Sequence, residues 1–316
     1  MCDAVSDTDP APIFLFGALR SGTTVFRLML DAHPEISNPG EADFLFDYLQ
    51  KNAKGNWVYD TDRLGRDRIF RAKKLTLERG LDGLELLEDL LMQLQHRAPG
   101  RLVLTVHRHL GRLVQALPNS RLIHLLRDPR DVARSSIGMG WAGNVFYGVD
   151  HWISTETGWD IIRDRIAVSN WTELKYEDLF KDLDAHLKHI CAFIGVPYSE
   201  KMLSYHEGTT YGPPDPKLTE QWRHKATERD VALVERKAGP LMQSRGYAVS
   251  GPRLSLNPLE RLFLFVSNKY GIWRFGMKRH GFSVFFMEKV TRWFGLERLN
   301  KGFRDTITRN NIQHLK

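Results

Sequence analysis

The sequence predicts an α/β fold: a P-loop-like parallel sheet with helices on both faces, followed by a C-terminal helical extension. Three observations predict it. Strand-like apolar runs at 12–16, 101–106, 121–126 and 171–176 alternate with helical patterns at Thr23–His33, Leu81–His96 and Leu183–Ile194. Strands alternating with helices imply a parallel sheet covered on both faces. Two of the runs also lead through Gly- or Arg-containing turns into helices, and ligands of such sheets bind outside the C-terminal strand ends. Composition then shifts after residue 250, which sets the expected division into a domain at 10–250 and an extension at 251–316.

The first element, Pro12–Phe16, reads as a buried strand. It runs into Gly17-x4-Gly22-Thr23-Thr24, where a helix opens. Glycines let the backbone curl so that successive N–H groups face an anion at the helix N-terminus. The spacing follows the ATP-binding loop except that Thr23 stands where its phosphate-reaching lysine belongs, and Arg20 lies inside the loop. Alone, the turn also fits a plain strand–helix connection. Residues 51–80 are rich in Lys, Arg and Asp with little periodicity and read as an exposed region.

The run Arg121–Leu126 is followed by Arg127-Asp128-Pro129-Arg130, with Pro129 punctuating the turn into a helix. Arg127 offers a planar fork and Ser135, one or two turns into that helix, a hydroxyl; the two suit one phosphate. The plain alternative is a surface turn with exposed ion pairs, each worth about 0–1 kcal/mol. Further on, "YGPPDPK" at 211–217 reads as a Pro-rich flap.

A chain of 316 residues with 42% hydrophobic content can bury a large core. Its two cysteines, Cys2 and Cys191, imply no disulfide framework and fit a reducing compartment. Met1–Asp7 has no basic region or apolar core, and no apolar run reaches about 18 residues. A cytoplasmic protein, with peripheral membrane contact left open, is the expectation. His107 and His109 lack neighbours at ligand spacing, so no metal is expected.

The charge is unevenly placed. Residues 252–316 hold 13 Lys or Arg and 4 Asp or Glu, a net of +9, whereas the whole chain is +7. The same segment carries eleven Phe, Trp and Tyr residues. Leu259, Leu262, Phe263, Val266, Tyr270 and Trp273 follow helical spacing, as do Phe282, Phe285, Phe286, Val290, Trp293 and Phe294. Basic, aromatic, amphipathic helices suit an anionic membrane surface. Packing on the preceding domain or on a second subunit is the open alternative. Nucleic acid is disfavoured, because the helices are too apolar for a solvated groove binder.

Taken together, "GALRSGTT" with "VFRLMLDAHP" and "RLIHLLRDPRDVARSS" resemble the phosphosulfate loop and the 3'-phosphate motif of sulfotransferases that use 3'-phosphoadenosine 5'-phosphosulfate (PAPS). "LKYEDL" at 174–179, "IGVPY" at 194–198, "QWR" at 221–223 and "GPLMQSRGY" ending at Tyr247 resemble further features of that family in the same order. The branch most similar in style includes tyrosylprotein and many bacterial sulfotransferases. The resemblance implies that Arg20, Ser21, Gly22, Thr23 and Thr24 hold the 5'-phosphosulfate, and Arg127 and Ser135 the 3'-phosphate. It places Glu41, in "NPGEADF", at the catalytic glutamate and Tyr176 near an adenine contact. As plain alternatives, Glu41 reads as an ordinary exposed carboxylate and Tyr176 as partly core.

One departure stands out. Many relatives carry Lys-Thr-Pro or Lys-Ser-Pro before "HL", where this chain has Leu104-Thr105-Val106-His107-Arg108-His109-Leu110. His107 or Arg108 is the candidate replacement for the missing lysine. The implied reaction moves a sulfuryl group from PAPS to a hydroxyl or amine of an acceptor, lipid-linked acceptors included, and leaves PAP without a metal. The alternative class, a P-loop kinase or nucleotide hydrolase, needs a loop lysine and a Mg²⁺-holding carboxylate, neither of which is in place.

Overall fold

The computed structural model describes residues 11–251 and 254–314. Cys2 and the Met1–Asp7 segment lie outside them. In chain order the principal elements are β1 (Ile13–Phe16), α1 (Thr23–Asp31), β2 (Ile36–Ser37), β3 (Leu49–Lys51), β4 (Trp57–Tyr59), α2 (Gly83–His96), β5 (Arg101–Val106), α3 (Leu110–Ala116) and β6 (Arg121–Leu126). There follow α4 (Pro129–Gly138), α5 (Asp150–Ile162), β7 (Trp171–Lys175), α6 (Leu183–Ile194), α7 (Glu228–Ser244), α8 (Pro258–His280), α9 (Phe282–Trp293) and α10 (Glu297–His314). They form two compact units, residues up to Arg127 with Ser154–Thr219, and Asp128–Ile153 with the chain from Glu220 onward.

The first unit holds a five-stranded sheet in the order β2-β5-β1-β6-β7, with every pairing parallel. Central strands of such a sheet are covered on both faces and therefore lack polar alternation, and all four residues of β1 are buried. Successive side chains point to opposite faces, so β1 feeds two cores. Phe14 and Phe16 join Leu104, Leu122 and the apolar face of α2, including Leu86, Leu87 and Leu90. Ile13 and Leu15 join Val103, Ile123, Phe26 and Met29 of α1, and Leu187 and Ile190 of α6. The sheet expected from the sequence, with its four strand runs and helices on both faces, is present.

Two expectations need correction. The region 51–80 is not merely exposed. It carries β4, which pairs with β3 in a hairpin, and sends Tyr59, Leu64, Phe70 and Leu75 into the core beside α2. Single apolar anchors on very short elements leave no period to detect. The last strand ends at Lys175, and Tyr176 opens a short helix, Tyr176–Leu179.

In the second unit, the segment after Asp128 is a buried polar lock rather than a surface turn. Asp128 caps α4 by accepting from the Arg130 N–H at 2.9 Å, with Pro129 in the first turn where its missing N–H costs nothing. The Arg130 guanidinium then donates to Asp128 at 2.7 Å and to Glu235 of α7 at 2.9 Å, and lies 3.6 Å from the Trp222 ring centroid. Asp131 accepts from the backbone N–H groups of Gln221 and Trp222 at 3.2 and 2.8 Å. The exposed-ion-pair alternative fails because Asp128, Arg130 and Asp131 are all buried.

Candidate active site

The loop after β1 is shaped by two close approaches. A Cβ on Gly17 would overlap the Leu125 carbonyl of β6. Gly22 has φ 90°, and a Cβ there would overlap the Tyr176 ring. Between them the Ser21 N–H donates to the Ala18 carbonyl at 3.0 Å, and Arg20 adopts φ 74°, a left-handed conformation costly for a side-chain-bearing residue. The loop delivers the chain to α1, whose N-terminus receives no side-chain cap. Ser21 is fully buried, and its hydroxyl has no hydrogen-bond partner among the described residues. Buried hydroxyls are nearly always satisfied. An anion seated at the N-terminus of α1 would satisfy this one and face the aligned peptide dipoles. Thr23 is buried and Thr24 half-buried in the first turn.

Two arginines flank this cradle. The Arg20 side chain is exposed, yet desolvation by its crowded neighbours lowers its pKa, and the Arg127 charge adds to that against an opposing contribution from Tyr211. Arg127 leaves the end of β6 and is half-buried. It donates to the Arg20 carbonyl at 3.3 Å and to the Leu218 carbonyl at 2.8 Å, and stacks 4.5 Å from the centroid of Tyr176. Tyr176 is therefore both buried and central, touching Gly22 on one side and Arg127 on another. It also lines a cavity of about 370 Å³ with Val25, Phe180, Tyr205, Tyr211 and Leu218. The Pro-rich segment forms one wall of it through Gly212, Pro213, Pro214 and Asp215. Another cavity, of about 700 Å³ near Pro12, Arg101 and Ser120, opens where the strands begin. It lies at the opposite strand ends from the cradle, and parallel sheets bind ligands at the C-terminal ends.

Glu41 reaches the same sheet end by another route. Asn38 fixes the approach, accepting from the Gly40 N–H at 3.0 Å and donating to Thr105 at 3.2 Å. Glu41 then bridges to Thr105 beside β5, its side chain half exposed. His107, one residue past β5, is buried, and its Nδ1 lies 2.9 Å from the Gly17 carbonyl. A carbonyl only accepts, so Nδ1 carries the proton and Nε2 is left facing Glu41 Oε1 at 3.9 Å. That separation is ion-pair range rather than a hydrogen bond.

Beneath this pair, buried Asp43 accepts from the backbone N–H groups of His107 and Arg108 at 2.8 and 3.1 Å. Burial raises the Asp43 pKa against the opposing pull of His107 and Arg108. Arg108 is committed elsewhere. It forks onto Asp47 at 2.7 and 2.5 Å, and His109 pairs with the same carboxylate at 3.0 Å. Partial desolvation would raise Asp47, but the hydrogen bonds from His109 and Arg108 outweigh it and hold the pKa at about 2. Of the two candidate replacements for the missing lysine, the geometry thus turns His107 toward Glu41 and Arg108 toward Asp47.

The first unit therefore brings together Arg20, Ser21, Gly22, Thr23, Thr24, Glu41, His107, Arg127 and Tyr176 at the C-terminal strand ends. Ser135 is half-buried on α4 of the second unit. Two cations were missed in the sequence. Lys73 is half-buried and donates to the Pro39 carbonyl at 2.6 Å; desolvation and then Arg27 lower its pKa while Glu41 raises it. Lys73 and Arg27 thus share the surroundings of Glu41. No spacing in 51–80 could have signalled this, since the contact depends on the fold.

Comparison with known proteins bears on the family and the fold. The profile of the sulfotransferase family matches residues 12–200. A protein of Caenorhabditis briggsae named as a protein-tyrosine sulfotransferase is 26% identical over 209 residues, which is 62% of this chain and 69% of that one. Protein-tyrosine sulfotransferase A of Caenorhabditis elegans is 25% identical over 65% of this chain, which spans only 54% of that relative. In fold, the sulfotransferase domain of the Synechococcus PCC 7002 olefin synthase superposes with a TM-score of 0.59 at 20% identity, covering 76% of this chain and 96% of its own. The corresponding domain of the curacin biosynthetic pathway gives 0.53 at 20% identity, over 76% and 99%. With the family profile spanning more than half its length, this chain belongs to the sulfotransferase family.

Proposed function

We propose that this protein transfers a sulfuryl group from PAPS to a hydroxyl or amine of an acceptor. The observation that carries the reading is the buried, unpartnered Ser21 hydroxyl at the uncapped N-terminus of α1, flanked by Arg20 and Arg127. These residues fit a nucleotide phosphosulfate. Loop N–H groups, Ser21 and Thr23–Thr24 would hold the 5'-phosphosulfate. Arg127 would hold the 3'-phosphate, and the Tyr176 cavity is aromatic enough to receive a base.

PAPS supplies the sulfuryl group, whose bond to the phosphate oxygen breaks as the acceptor oxygen or nitrogen bonds to sulfur. Little covalent chemistry then falls to the protein, so positioning and charge stabilisation dominate. Glu41 takes the acceptor proton. The Nε2 face of His107 lies close enough to stabilise the protonated state of the pair or to accept that proton in turn. Arg20 stabilises charge on the departing phosphate.

The test is transfer of radiolabel from labelled PAPS to metabolite, lipid and peptide extracts by wild type and Glu41→Gln. The reading requires labelled product from wild type. Label released only as free sulfate, or none at all, counts against it.

A further inference from the structure

The helices after residue 257 divide their residues between two faces in a way that an ordinary packed helix does not. On α8 one face is fully employed. Asn268 accepts from the Gly143 N–H at 2.7 Å, Asn144 donates to the Leu264 carbonyl at 2.8 Å, and Gly271 approaches the Gly143 backbone too closely for any Cβ. Leu264 and Asn268 are buried there. The other face carries Leu259, Leu262, Phe263, Val266, Tyr270 and Trp273, which at 3.6 residues per turn fall within an arc of roughly 100°. All six are exposed, Leu259 at 77%, Phe263 at 68% and Tyr270 at 64%. Folding has already supplied α8 with a packing face, so this stripe is not a core waiting to form within the unit.

The stripe has a charged margin of one sign. Lys269, Arg274 and Lys278 are exposed and flank it on the helix surface. The acidic side chains nearby are occupied. Glu260 closes the α8 capping box and pairs with Arg229 at 3.3 Å, and Glu288 is buried against Lys289 at 3.0 Å. On α9, Phe285 turns inward against Gly276 and Trp273, whereas Phe282 and Phe286 stack at 5.5 Å on the exposed side, and Trp293 is 87% exposed. Among the described residues no helix is long and apolar enough to cross a membrane.

We infer that the exposed stripe of α8, continued by the aromatic residues of α9, is a docking surface for an anionic phospholipid bilayer, lying in the headgroup plane rather than spanning it. Apolar and aromatic side chains enter the acyl boundary while the flanking cations meet lipid phosphates. Charge complementarity selects this occupant over a second copy of the chain, because pairing two copies would bring two segments of net +9 together. The inference stands on the second unit alone and does not rest on sulfuryl transfer.

The test is cosedimentation of the full-length protein with phosphatidylcholine vesicles, with and without phosphatidylglycerol, at low and high salt. Two variants accompany wild type: Leu262→Ser/Phe263→Ser/Val266→Ser, and Lys269→Glu/Arg274→Glu/Lys278→Glu. Both replace exposed residues and should unfold at the wild-type temperature. Wild type should bind phosphatidylglycerol vesicles at least about tenfold more tightly than neutral ones, and salt should weaken that preference. The apolar variant should lose at least about tenfold on both lipid types, and the charge variant should lose the preference alone. Equal binding to both lipids, no binding, or an apolar variant that binds as wild type overturns the inference. So does a wild-type dimer that ignores vesicles and is dissociated by the apolar variant, since the occupant is then a second copy.

Discussion

α6 and α8 are both amphipathic helices rich in large apolar residues, yet they use them in opposite ways. α6 buries Leu187, Ile190, Cys191 and Ile194 against the sheet. α8 buries Leu264, Asn268 and Gly276, and leaves its largest apolar side chains in solvent. The difference lies in what each helix offers its neighbour. Against the sheet, α6 presents branched side chains that fill the space between strands. α8 presents Asn and Gly to the 143–144 backbone, where hydrogen bonds and close approach do the joining, and its hydrophobic face is left over. An apolar stripe is therefore evidence of core only when the opposite face is polar and idle.

Polar residues show the converse. His124, on β6, lies wholly inside the first unit, between Glu156 at 3.1 Å and Glu173 at 3.0 Å and stacked on Phe16 at 4.4 Å. Burial alone would lower its pKa, but the two carboxylates outweigh it and raise it. Ser21 is equally buried, and its hydroxyl has no hydrogen-bond partner among the described residues. One buried polar group is satisfied by the protein and contributes to stability; the other is the one on which the proposed anion site rests.

The largest expected effect is on turnover. Glu41→Gln should preserve shape and donor affinity and lose about 10²–10⁴-fold in rate, measured with labelled PAPS and the acceptor identified by extract screening. A variant near wild-type rate would move the general base to His107, whose Nε2 faces Glu41 at 3.9 Å.

Stability should separate the two helices. Leu187→Ala on α6 should cost about 2–5 kcal/mol in denaturant unfolding. Phe263→Ser on α8 should stay within about 0.5 kcal/mol. A similar loss at both would mean that the α8 stripe is covered in the folded protein.

Smaller effects come from single contacts. Arg127→Ala should weaken PAP binding by about 1–3 kcal/mol, through loss of charge-assisted hydrogen bonds to one phosphate. At His124 the effect is on pH dependence. A raised folded-state pKa means that the charged form is favoured in the folded protein. That stabilisation is complete below the ordinary His value of about 6.5 and is lost as pH rises through the folded-state value. Melting temperature should therefore fall across that window in wild type and fall less in His124→Gln. Parallel curves would show that His124 does not titrate in the folded state.

What was legible in the sequence follows from the range of the interactions. The strand, loop and helix at 13–31 could be read because glycine spacing, strand end and helix start are neighbours in the chain, and the strand runs could be read because central parallel strands are continuously apolar. The facing of His107 and Glu41 could not be read from local pattern. It depends on β5 lying between β2 and β1, which carries residue 107 to the Gly17 carbonyl. Lys73 escaped for the same reason. The tail periods were legible as helices, but their burial was not. Phe285 shares a period with Phe282 and Phe286, and only packing against Gly276 sends it inward.

The central claim is that the Ser21 cradle and Arg127 together hold a 3'-phosphorylated adenosine nucleotide. Calorimetric titration of the full chain with PAP, and separately with ATP and Mg²⁺, tests it most directly. The account predicts saturable binding of PAP that weakens in Arg127→Ala and Ser21→Ala, and markedly poorer binding of ATP. Binding of ATP with Mg²⁺ as tight as that of PAP, or PAP affinity unchanged in both variants, would contradict it.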